Sequence, residues 1–122
     1  TIPTPPQGFN PSYWWIRTRF NTDALTCDKF EFCDALMAEG IICGADYSIA
    51  IPTLNTWYKE RINTFPWNSP QYSGNPLQEY PLPNAMQSIA DHFNLFIYES
   101  WGKPEAEMII NAFRKVETAY MK

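Results

Sequence analysis

The chain has 122 residues, 45% of them hydrophobic, 16% aromatic and 18% charged, a balance that excludes a disordered or fibrous protein and suits one domain with one sizeable core. A formal net charge of −4 argues against a general nucleic-acid or anionic-membrane binder, both of which need a basic face. No apolar run approaches the ~18 residues of a membrane span, and no segment reads as a signal peptide. Cys27, Cys33 and Cys43 are odd in number and lack CxxC spacing, which points to reduced thiols in a cytoplasmic protein. With His92 as the sole histidine, a zinc site is hard to assemble. The chain opens on Thr1, as processing, a tag or a cut from a longer protein would leave it.

Residues 1–12 are rich in proline and read as an incoming arm or linker to a domain over 13–122. The run Tyr13–Phe20, YWWIRTRF, alternates: Trp14, Ile16, Thr18 and Phe20 share one face, and Trp15, Arg17 and Arg19 the other, the period of a strand with one face buried. A helix follows over Cys27–Glu39, with Thr26 as its expected N-cap, Phe30, Cys33, Leu36 and Met37 as its apolar stripe, and Gly40 at its stop. Ile41–Ala45 reads as a short strand, with its glycine at a bulge or a close backbone approach, and Asp46–Ile51 as an extended continuation. Asn55–Ile62 reads as a short helix turning Trp57, Tyr58 and Ile62 inward.

The segment Asn63–Pro83 holds five prolines, four aromatic residues and one charge, Glu79. Proline bars a helix or central strand, while the aromatic content is the opposite of a disordered composition. An ordered loop lying against its own domain or an outside surface is expected. Asn84–Phe93 reads as a capped helix, Asn94–Tyr98 as a strand, and the chain from Pro104 as a final helix with Ile109, Ala112, Phe113, Val116 and Tyr120 on its apolar face. The order β–α–β–(α)–loop–α–β–α suits an α+β two-layer sandwich, with a small, mainly antiparallel or mixed sheet and helices on one face.

Motifs of chemistry are sparse. The sequence has no GxGxxG, phosphate loop or HExxH, and His92 sits in a predicted helix without a nucleophile elbow beside it. Asp46, Glu60 and Glu99 are read as solvated carboxylates, and Arg17, Arg19, Lys59 and Arg61 as solvated faces. Trp14 and Trp101 are assigned to core packing. Trp15, sharing an outward strand face with two arginines, is an interface candidate, as are Trp67 and Tyr72 in the loop.

The phrases YWWIRTRF, LMAEGI, WYKERI, YPLPNA and LFIYESWGKPEAEMIINAFRKVETAY, in that order, resemble the C-terminal part of the DegT/DnrJ/EryC1/StrS aminotransferases. These are pyridoxal-phosphate enzymes that aminate keto-sugars, often nucleotide-linked, or related cyclic ketones. The resemblance runs from about Tyr13 onward, with Phe96 where the family commonly has proline and Tyr98 near its usual histidine. It implies a small domain of fold type I, inactive alone, whose parent is a homodimer with the Schiff-base lysine in a missing N-terminal domain. None of Lys29, Lys59, Lys103, Lys115 or Lys122 matches the family's lysine context, so no catalytic or cofactor-binding residue is carried over. On this resemblance Tyr47, Ser48 and Arg61 are substrate-pocket candidates. The alternatives are a free-standing carbohydrate- or protein-binding module using loop 63–83, and a small hydrolase using His92.

Overall fold

The computed structural model describes residues 4–122; residues 1–3 of the expected arm lie outside it. The regular elements are β1 (Trp15–Arg19), α1 (Lys29–Ala38), β2 (Cys43–Gly44), α2 (Thr56–Lys59), α3 (Pro83–Asp91), β3 (His92–Phe96) and α4 (Lys103–Tyr120), with 3-10 turns at Ser48–Ala50, Pro52–Leu54 and Arg61–Asn63. They belong to two compact units. The larger comprises residues 4–47 together with Ser88–Lys122, and the smaller is Ser48–Gln87.

In the larger unit β3 lies between β1 and β2 and is antiparallel to both. The register pairs Ile16 with Leu95, Arg17 with Asn94 and Thr18 with Phe93, and sets Cys43 beside Leu95 from the other side. Because side chains alternate along a strand, Thr18, Phe93, Leu95 and Cys43 share one face. That face carries the core: Phe93, Leu95 and Cys43 are buried with Phe32, Cys33 and Leu36 of α1 and Ala112 and Val116 of α4. Phe32 sits at its centre, with ring centroids 5.5 Å from Phe20, 6.0 Å from Phe93 and 6.2 Å from Phe113. The expected α+β arrangement of an antiparallel sheet with helices across one face is therefore present.

Local chemistry sets the ends of the elements. The N-cap of α1 is Asp28, whose carboxylate accepts from the Glu31 amide, and not Thr26. Past its end, Gly40 adopts φ +85° while its amide bonds the Met37 carbonyl and the Ile41 amide bonds that of Leu36, a Schellman closure. At the start of α4, the Glu105 carboxylate accepts from the Gly102 amide, which holds its pKa below the usual carboxylate value. The α4 C-terminus is tied back to the β1–α1 connection, Thr26 N–H donating to Tyr120 O and Lys122 N–H to Ala24 O.

Several expectations are corrected. The buried stripe of α1 is Lys29, Phe32, Cys33 and Leu36, whereas Phe30 and Met37 are exposed. Asp46–Ile51 does not stay extended, since Ser48–Ala50 turns as a 3-10 helix. Trp57 and Ile62 face outward, and Arg61 takes the inward position. The α3 helix begins at Pro83, so Asn84 lies within it, and it ends at Asp91, so His92 and Phe93 are strand residues. Trp14 is 79% exposed, outside the core, and Trp101 is half-buried against Tyr98.

The α1 correction is directly measurable. Phe32→Ala should lower unfolding free energy by about 3–5 kcal/mol, the range for an aromatic deleted from a close-packed core. Phe30→Ala should cost about 0.5 kcal/mol or less, as an exposed position does. Urea unfolding of the two variants checks the assignment.

Candidate functional site

The second face of the sheet is polar and aromatic. Trp15 packs edge-on against Tyr47 at 5.1 Å between centroids, and against its register partner Phe96 at 6.4 Å. Next along the strand, Arg17 is paired with Asn94, which is only 2% exposed. One guanidinium nitrogen donates to Asn94 Oδ1 at 3.3 Å, and the other donates to the Ser88 carbonyl at 2.8 Å and approaches its hydroxyl at 3.2 Å. Lys29 reaches the neighbouring carbonyl: its ammonium, on a side chain buried with the α1 stripe, donates to Ile89 O.

Ser88 and Ile89 stand in the last turns of α3, where backbone carbonyls lack helical partners and carry the negative end of the dipole. Arg17 and Lys29 thus supply what that end needs, and the Phe20 amide adds a bond to Asp91 O. Burial holds the Lys29 pKa below the ordinary lysine value, opposed in part by the field of Asp46. Neither cation is a solvated face residue, as the sequence suggested for Arg17. Lys29 escaped notice because a lysine at a stripe position counts as polar.

Arg61 plays the same part in the smaller unit. It is 8% exposed, its guanidinium donates to the carbonyls of Tyr58 and Gln78, both at 2.7 Å, and it lies 4.0 Å over the Tyr58 ring. The bond to Gln78 spans 17 residues and ties down the proline-aromatic segment, which has no helix or strand between Asn63 and Leu82. Arg61 is therefore neither an exposed helix-end residue nor an open anion receptor. Beside it a cleft of about 530 Å³ is lined by Thr53, Tyr58, Lys59 and the segment 77–81.

The loop candidates are half-buried. Trp67 tilts against Trp57 at 6.5 Å, and the Tyr72 ring covers Gly74, where an added Cβ would stand 2.7 Å from the hydroxyl. Tyr47 and Ser48 fall in different units; Tyr47 belongs with Trp15, and the Ser48 carbonyl accepts from the Ile51 amide.

For acid–base or nucleophilic chemistry the described residues offer little. His92 Nδ1 lies 2.7 Å from the carboxylate of adjacent Asp91. The three thiols are free and buried; a hydrogen bond between Cys33 and Cys43, with burial, pushes the Cys33 pKa up, and the same bond draws that of Cys43 down. Among the described residues no group of three or more His, Cys, Asp or Glu is placed to hold a metal ion. Of the described lysines, Lys29 donates to Ile89 O, Lys115 to Glu39 and Lys122 to Thr22 O, and Lys59 and Lys103 stand exposed. No helix among the described residues is long and apolar enough to cross a membrane.

Two measurements test the cation assignments. Unfolded Lys29 keeps its proton to about pH 10.4, while folded Lys29 releases it earlier, so between those pH values the unfolded state binds more protons and folding gains with rising pH. Lys29→Met removes this contribution, so the stability of wild type relative to the variant should rise between about pH 7 and pH 10 in paired thermal melts. Arg61→Lys keeps the charge but loses the planar fork, and amide exchange around Gln78 should speed by about tenfold, read by hydrogen-exchange mass spectrometry. Comparison with family models, curated proteins and solved structures gives no match to the chain.

Proposed function

We propose that this chain is the C-terminal small domain of a pyridoxal-phosphate aminotransferase of the DegT/DnrJ/EryC1/StrS type, acting on keto-sugars or related cyclic ketones. In this reading it works only beside a larger N-terminal domain that holds the cofactor, within a homodimeric parent. The order of sequence phrases suggests the family. The observation that carries the reading is the surface of the smaller unit, where Ile49 (75%), Trp57 (55%), Phe65 (80%), Leu77 (65%) and Tyr80 (54%) are exposed. Its buried residues are Ile51 and Arg61. A surface this apolar expects an opposing protein wall. The role left to this chain is to close a site and shape it, with Tyr47 in the larger unit and, separately, Ser48 and the cleft beside Arg61 in the smaller as pocket candidates, and with Trp15 in the larger and Trp67 and Tyr72 in the smaller as contact candidates. A free-standing carbohydrate- or protein-binding module would use the same exposed aromatics.

Antibody raised against the domain should detect, in the cells that make it, a polypeptide several-fold heavier than these 122 residues. Borohydride reduction should fix a pyridoxyl group on that polypeptide outside this segment. A native product of the chain's own mass would favour the binding module. A stoichiometric reduced adduct on Lys29, Lys59, Lys103, Lys115 or Lys122 would overturn the assignment of the cofactor anchor to another domain.

A further inference from the structure

The larger unit contains a second feature, independent of the aminotransferase reading, where β3 runs out toward α4. A shallow, open hollow of about 520 Å³ is lined there by Trp14 and by residues 96–100. Trp14 is 79% exposed and Tyr98 51%, so neither ring is sealed in the interior. Each is braced by a second tryptophan that does not line the hollow. Trp15 stands 5.1 Å from Trp14 with the rings tilted by 40°, and Trp101 meets Tyr98 edge-on at 5.0 Å. Trp15 is fixed in turn by Tyr47 and Phe96. Trp14 and Tyr98 make no ring contact with each other, so neither closes the hollow against the other.

Charge decides what such a hollow attracts. Glu99 is the one charged residue among its lining, is exposed, and has no ion pair or hydrogen bond among the described residues. Aromatic faces are negative, so rings and carboxylate act in the same sense and draw a cation. A phosphate ester finds no basic partner there, and a sugar finds few groups for its many hydroxyls. Among cations, a primary ammonium is strongly hydrated and gives up that water only for several acceptors. A trimethylammonium group donates no hydrogen bond and presents polarised methyls, so rings on one side and water on the other suit it. An open hollow is therefore no obstacle to this ligand.

We propose that this hollow binds a trimethylammonium group, its methyls against Trp14 and Tyr98 and its charge balanced by Glu99. Trp14 and Tyr98 provide cation–π attraction, and Glu99 adds a Coulombic preference for the charged ligand over a neutral one of the same shape. Trp15 and Trp101 are positioning residues, which hold the two outer rings in place.

The test uses the full 122-residue chain with choline and 3,3-dimethyl-1-butanol, which puts carbon in place of the quaternary nitrogen, titrated by NMR on the indole signals. Wild type should bind choline about tenfold more tightly than the neutral alcohol, the scale of two cation–π contacts and one exposed ion pair. Trp14→Ala and Tyr98→Ala should each weaken choline binding by about threefold or more. Glu99→Gln should weaken choline by about threefold and leave the neutral alcohol unchanged. All three side chains are exposed, so the variants should melt with wild type. Blocked trimethyl-lysine, titrated beside choline, separates a protein-borne group from a free one; tighter binding of either supports the proposal and names the source. Failure of both cations to bind at millimolar concentration, or equal binding of choline and the neutral alcohol, overturns it. So does a Trp14→Ala protein with wild-type affinity for choline.

Discussion

The structure depends on buried and half-buried cations that bond to backbone carbonyls. A charge taken out of water is costly unless hydrogen bonds replace its hydration, and Lys29, Arg17 and Arg61 each find those bonds on the main chain. The two in the larger unit converge on the end of α3. A cation there gains the helix dipole as well as the orphan carbonyls, an effect reaching about 2 kcal/mol in partly buried geometry. Fixing that end also fixes the first residues of β3, and with them Phe93 and Leu95, around which both core helices pack.

This arrangement explains what could be read from the sequence and what could not. The apolar face of α4, with Ala112 and Val116 buried and Ile109, Phe113 and Tyr120 beside them, followed from helical periodicity. The order of elements suggested a small sheet, mainly antiparallel or mixed, and all three strands pair antiparallel. The α1 stripe could not be read in this way. Positions 29, 32, 33 and 36 have ideal spacing for one helix face, but the first is a lysine, and hydrophobic patterning moves the stripe to Phe30 and Met37. The same error recurs at Arg61, whose inward turn is invisible to any reading that treats arginine as solvent-facing. Both misses have one physical origin: a long side chain can bury its stem and spend its charge on carbonyls whose positions depend on residues 17 or 60 places away.

The two faces of the sheet are specialised accordingly. One is a phenylalanine-rich core, and the other sets Trp15, Tyr47 and Phe96 beside the Arg17–Asn94 pair. The smaller unit has little interior; it is held by Arg61 and by turn hydrogen bonds such as those the Asn55 side-chain Nδ2 donates to the carbonyls of Ile49 and Ile51. Polar bonds of this kind fix a shape without burying apolar side chains, which leaves those side chains on display.

The passage from α3 to β3 occurs between Asp91 and His92 with no residue in between. Elsewhere the chain has slack, and its surface turns could lengthen or shorten over evolutionary time at little thermodynamic cost. At this joint a single inserted or deleted residue would reverse the facing of every β3 side chain, sending Asn94 into the phenylalanine core and Phe93 to the polar face. In any set of descendants of this sequence, the length of that junction should therefore be the dimension that does not drift.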